Sequence, residues 1–164
     1  MQSMRRLSFA AIALVIVSSA ALAAARSQTP TDDREAVRQA MLDYVEGIYN
    51  VQPERLERSV HPDMIKRGYY KKNAGDADFA FEPMTRAQLM TLAANWNKEK
   101  KRPIEKYAKE VIVYEVVDQT ASGKVIAMWG IDYMHLAKYD GRWQIINIVW
   151  QAHPPKAQST ATRD

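Results

Sequence analysis

A chain of 164 residues, 47% hydrophobic and 26% charged, has the make-up of one ordinary soluble domain with its own core. The absence of cysteine excludes disulfides, thiolate metal sites and a cysteine nucleophile. Two of the 23 basic residues, Arg5 and Arg6, lie in the N-terminal segment; without them the excess over the 19 acidic residues is two, too slight a balance to suggest a nucleic-acid partner.

The chain opens with a positive stretch at Arg5 and Arg6, an unbroken apolar run from Phe9 to Val17, and small residues at Ala21-Leu22-Ala23 or Ala23-Ala24-Ala25. This is the layout of a secretory signal peptide over residues 1–25. It implies an exported protein, periplasmic or secreted, with no stable membrane insertion after processing. The competing reading is an uncleaved anchor, but a spanning helix needs about 20 strongly apolar residues, roughly twice the run seen here. Residues 26–32 read as a flexible lead-in, 33–154 as one domain and 155–164 as a disordered tail.

From Asp33 to Tyr49 the sequence predicts a helix: Val37, Met41, Tyr44, Val45 and Ile48 share one face. Pro53 suits the first turn of a short second helix, Glu54 to Val60, ended by Pro62. Lys66 to Pro83 shows no clean period and is expected to be a long connection, with room for one short strand. Thr85 and Gln88 match a capping box, so a third helix is expected from Thr85 to Trp96. Val111 to Val117 is β-branched and aromatic, a strand. A turn at Ala121 to Gly123 is expected to lead into one long strand, Lys124 to Tyr139. Asp140-Gly141 is a two-residue hairpin signal before a last strand, Arg142 to Ala152.

With that turn, Tyr139 pairs with Arg142, and side chains alternate between faces. One face then carries Asp132, Met134, Leu136 and Lys138 with Val149, Asn147, Ile145 and Trp143. The other carries Ile131, Tyr133, His135 and Ala137 with Trp150, Ile148, Ile146 and Gln144. Both are largely apolar, so one face is expected to pack on the helices and the other, around Tyr133, His135, Ile146, Ile148 and Trp150, on a second copy of the chain.

Three helices followed by a long curved antiparallel sheet suggest an α+β fold, the nuclear transport factor 2-like cone also found in SnoaL-like and cystatin-like proteins. Tyr44-Val45-Glu46-Gly47-Ile48-Tyr49, Glu54-Arg55-Leu56 and His61-Pro62-Asp63 resemble the N-terminal half of the putative lumazine-binding family of that superfamily. Asp132 to Ile145, with its strand, hairpin turn and Trp-x-Ile strand start, resembles the C-terminal signature. The likeness spans Asp33 to Pro154, and Asn50-Val51-Gln52-Pro53 departs from the Gly-Asp type of turn usual there. A small aromatic heterocycle is the ligand that the resemblance implies.

Asp132 stands in an apolar strand on the face assigned to the cone interior, where burial would raise its pKa and suit it to acid/base work. The plainer reading is a carboxylate that accepts hydrogen bonds and orders the core. Tyr44, Trp96, Tyr114 and Trp143 are candidates to stack on a flat ligand, and Met134 and Asn147 share the Asp132 face. His61, His135 and His153 have no metal-ligand spacing, so no metal is expected, and nothing in the sequence names a cofactor. Lys66-Arg67, Lys71-Lys72 and Lys98 to Arg102 read as solvated surface or as a basic rim for an anionic ligand. The leading expectation is an exported protein with an apolar cone-shaped pocket for a small apolar or aromatic molecule, as a homodimer. Two alternatives stay open: an isomerase or dehydratase with Asp132 as acid/base and Tyr44 or Tyr114 as oxyanion donor, and a protein-interaction module using the outer sheet face.

Overall fold

The structure is a computed structural model that describes residues 30–73 and 75–154. The expected leader over 1–25 and the tail over 155–164 lie outside the described residues. Helix α1 spans Pro30–Tyr49. It therefore takes in the end of the expected lead-in, with Pro30 at the first position, where a missing N–H costs nothing. The five stripe residues Val37, Met41, Tyr44, Val45 and Ile48 are all 0–1% exposed. Helix α2 is Pro53–Ser59, and α3 is Arg86–Asn95, opened by the capping box of Thr85 and Gln88.

The strands are β1 Val60–Tyr70, β2 Ala80–Met84, β3 Lys109–Val116, β4 Thr120–Ala127, β5 Gly130–Tyr139 and β6 Arg142–Gln151. They form one six-stranded sheet in the order β2-β1-β6-β5-β4-β3. The β1–β6 pairing is parallel and the others are antiparallel, so the sheet is mixed. Bulges in β3 and β6 bend it. Its inner face packs on α1 and α2, and α3 covers the β1 side.

Three expectations change. Residues 60–84, read as a helix end and a long connection, contain β1 and β2. Pro62 is tolerated because it falls where the β1–β6 register shifts, between Val60 and Ile65, so no ladder donor is missing. The expected turn at Ala121 to Gly123 is strand. The chain turns instead just before Thr120, where the Val117 amide donates to the Thr120 carbonyl. Gly123 is there because a Cβ would come within 2.7 Å of Met41 Cε and 2.6 Å of the Ile112 carbonyl. The expected single strand over Lys124 to Tyr139 is broken by a tight turn at Met128 and Trp129, closed by Gly130 at φ 148°.

The final hairpin also departs from the simple register. Tyr139 pairs with Arg142, and Asp140 and Gly141 take the positive φ that this turn requires (49° and 75°). The pairing holds to Leu136↔Ile145. A bulge at Ile146 then shifts it, so that His135 pairs with Asn147, Met134 with Ile148 and Asp132 with Trp150. The extra residue turns the rest of β6 over. Ile148 and Trp150, expected on the outer face, join Asp132 and Met134 on the inner one. Asn147 and Val149 face outward beside His135 and Tyr133.

Candidate functional site

Strand β1 alternates with Met64, Lys66, Gly68 and Tyr70 inward and Ile65, Arg67 and Tyr69 outward, which places a lysine among core residues. Lys66 is 6% exposed and Asp132 0%. Their Nζ–Oδ1 distance is 2.9 Å, a buried ion pair. Lys66 also donates to the Tyr44 hydroxyl at 2.5 Å, and Tyr44 donates to Asp132 Oδ1 at 3.4 Å. Trp129, set in the β4–β5 turn, donates its indole N–H to Asp132 Oδ2 at 2.7 Å. Burial, then the Asp132 charge and hydrogen bond, push the Tyr44 phenol well above its ordinary value of 10.0, so it stays a neutral hydroxyl.

Above this cluster a cavity of about 430 Å³ lies between α3 and the sheet. Ile48 of α1 and Leu92 and Trp96 at the end of α3 wall one side; Lys66 and Tyr70 of β1, Glu82 and Met84 of β2, Trp129, and Trp150 of β6 wall the other. Gly68 makes room for Trp150, since a Cβ there would come 2.5 Å from the indole Cε3. Trp96, Trp129, Tyr49 and Tyr107 form a nest of rings with centroids 5.3–6.1 Å apart. The Tyr49 hydroxyl fixes the nest: it donates to the Ala108 carbonyl and accepts from the Met128 amide, each at 2.7 Å. Arg102 lies 4.7 Å over the Trp96 ring, at the edge of a second recess of similar volume. That recess is walled mainly by the polar and charged residues of the loop over 95–102, and lacks the apolar walls expected of a small-molecule site.

Of the residues singled out from sequence, Trp96 lines the cavity, and Tyr44 and Asp132 form the polar layer beneath it. Asp132 stands behind Lys66 with both oxygens engaged, the place of a group that holds Lys66. Met134 is buried beside Ile148 in the core. Three others stand elsewhere. Trp143 is buried near the start of α1, donating to Asp33 at 3.0 Å beside Lys138. Asn147 is on the outer face with its amide nitrogen 3.2 Å from His135 Nδ1. Tyr114 falls at the β3 bulge, 48% exposed. Sequence reasoning missed Tyr70, Glu82 and Trp129 as cavity residues, read Lys66 as surface or rim, and set Trp150 on the outer face. The signals were weak: a lysine at an alternating position, and a tryptophan just before Gly130. His61 stacks on Tyr139 at 4.2 Å and His153 bonds to the Ala127 carbonyl, so each has a local partner.

Three helices packed on a bent six-stranded sheet, with a cavity between α3 and the sheet's inner face, define the nuclear transport factor 2-like class. Solved structures of that class share the fold. One, a protein of unknown function from Shewanella baltica, has a TM-score of 0.61 at 16% identity, over 77% of this chain and 98% of that one. Another, from Methylobacillus flagellatus, has 0.57 at 21%, over 77% and 96%. A domain with a cystatin-like fold from Nostoc punctiforme has 0.55 at 13%, over 78% and 82%. The sequence itself fixes the family. The family model described as "Putative lumazine-binding" matches residues 32–151, and the chain belongs to that family. No curated protein matches it.

Proposed function

We propose that the protein binds a small, planar, largely apolar molecule in the cavity between α3 and the sheet, and does so as an exported protein, periplasmic or secreted. The observation that carries this reading is the convergence of Trp96, Trp129 and Trp150 around about 430 Å³, with the Lys66 ammonium at its floor. Three indoles give a flat ligand broad apolar and stacking area, and a single held ammonium gives it orientation. The export half rests on the leader-like segment over residues 1–25. Native mass spectrometry of the protein purified from the exported fraction tests both halves. The expected result is a chain without its leader, carrying an extra mass that leaves on denaturation and is absent from Trp129→Ala. Recovery of the protein only with its leader overturns the export half. A bare chain that takes up no aromatic compound in a thermal-shift screen overturns the binding half.

A homodimer through the outer sheet face is the second reading, favoured by the exposure there of Ile65, Tyr69, Phe81, Tyr133 and Val149 (39–51%). The same face carries Arg67 and Lys124 as well as Glu115, and a surface with both signs can complement itself about a two-fold axis. Sedimentation velocity is expected to give a dimer that Tyr133→Asp splits; a monomeric wild type removes this reading and leaves the first.

A further inference from the structure

The polar groups at the inner end of the cavity are unequal in kind. A lysine ammonium has three N–H donors. Two of those of Lys66 go to Asp132 and Tyr44, and the third has no acceptor among the described residues. Trp150 Nε1 is also buried without an acceptor. The Cε3–Cζ3 edge of its ring lies against Gly68, so the opposite edge, which bears Nε1, is turned away from that glycine. The acceptors nearby are in use: Asp132 Oδ1 takes Lys66 and Tyr44, Oδ2 takes Trp129, and the Tyr44 oxygen takes Lys66. Two donors on residues that line the cavity are thus left over. Glu82 of β2 lines the same cavity from an exposed position, and its carboxylate has no hydrogen bond or ion pair among the described residues.

We propose that the ligand is a neutral planar aromatic of about two-ring size with a hydrogen-bond acceptor, such as a ketone, at its inner end and an N–H donor at its outer end. The acceptor meets Lys66 and Trp150; the donor meets Glu82. This rests on the binding reading above and adds polarity and charge to it. Charge decides for a ketone over a carboxylate. Among the lining residues Lys66 is the one cation and Glu82 the one carboxylate, and Lys66 is already matched by Asp132 behind it at 2.9 Å. A ligand carboxylate would lose its hydration with no unmatched cation among the lining residues to compensate, whereas a carbonyl accepts the same two hydrogen bonds without a charge.

Isothermal titration calorimetry at neutral pH with three probes tests the inference: 6-amino-2-acetonaphthone, 6-amino-2-naphthoate and 2-acetonaphthone. The amino ketone is expected to bind tightest, the amino acid at least tenfold more weakly, and the ketone without the amine several-fold more weakly. In Glu82→Ala, whose exposed side chain leaves the core untouched, the advantage of the amine is expected to vanish. Naphthoate binding as tight as the amino ketone, or an amine advantage that survives Glu82→Ala, overturns the proposal. Equal binding of all three overturns the polarity and leaves the aromatic cavity standing. No binding by any of them overturns both.

Discussion

The Lys66–Asp132 pair is the most consequential contact made by single residues. Asp132 is sealed from water and Lys66 nearly so, so each charge is tolerable because of the other and of the Tyr44 and Trp129 hydrogen bonds. Asp132→Asn leaves the ammonium buried without a counter-charge. Urea denaturation is expected to show a loss of about 3–5 kcal/mol, and the double variant Lys66→Met/Asp132→Asn to recover much of it. A double variant no more stable than the single would show that the pair is not the cause. Tyr44→Phe removes an acceptor from Lys66 and is expected to cost about 1–3 kcal/mol, as for a hydrogen bond to a charged group. Because burial and the Asp132 charge raise the Tyr44 phenol, an ultraviolet titration should find it un-ionised at pH values where free tyrosine, near 10, has lost its proton.

Among the elements, β1 and α3 shape the cavity. Gly68 lets the Trp150 indole lie close over β1, so Gly68→Ala must displace this ring, which lines the cavity. The expected outcome is a loss of aromatic-probe affinity by tenfold or more in calorimetry, with a stability cost of about 1–3 kcal/mol from overpacking. Unchanged affinity would mean that the ring yields in another direction. Helix α3 carries Leu92 and ends at Trp96, and its start is fixed by the reciprocal Thr85–Gln88 bonds. Thr85→Ala should lower stability by about 1 kcal/mol on chemical denaturation, the usual worth of an N-cap. The Ile146 bulge acts on a larger scale, since one extra residue decides which side of the sheet Ile148 and Trp150 occupy.

The whole molecule is tied at two places by carboxylates. Near the start of α1, Asp33 accepts from Lys138 and Trp143 and so fastens α1 to the last hairpin. On the other flank Asp43 and Glu46 engage Arg55, Arg58 and Lys109, joining α1 to α2 and β3. Burial alone would raise the three carboxyls, but the hydrogen bonds and charges of these partners outweigh it and hold each below its ordinary value, 3.8 for Asp and 4.5 for Glu. Their folded pKa values are depressed, so the unfolded chain takes up protons first as the pH drops. The stability they contribute is fully present above the ordinary carboxylate range and is lost as the pH falls through the lowered values. Thermal melts should therefore be nearly flat above about pH 5.5 and fall steeply below about pH 4.5, and Asp43→Asn should flatten that fall. An acid limb unchanged in Asp43→Asn would place the sensitivity elsewhere.

The sequence by itself determined what depends on local pattern. The α1 stripe, the Thr85–Gln88 cap, the Asp140-Gly141 turn and the β-branched strands were legible because each is set by neighbours a few residues apart. With the family likeness they were enough for the cone. What β1 is, where β4 ends, and which way β6 turns after Ile146 were decided by tertiary structure. Lys66 and Gly68 break the apolar alternation of β1 because one answers a carboxylate 66 residues away and the other makes room for Trp150. A site assembled from such distant partners leaves little periodic trace. Its residues are chosen by what stands opposite them in space, which alternation along the chain does not record.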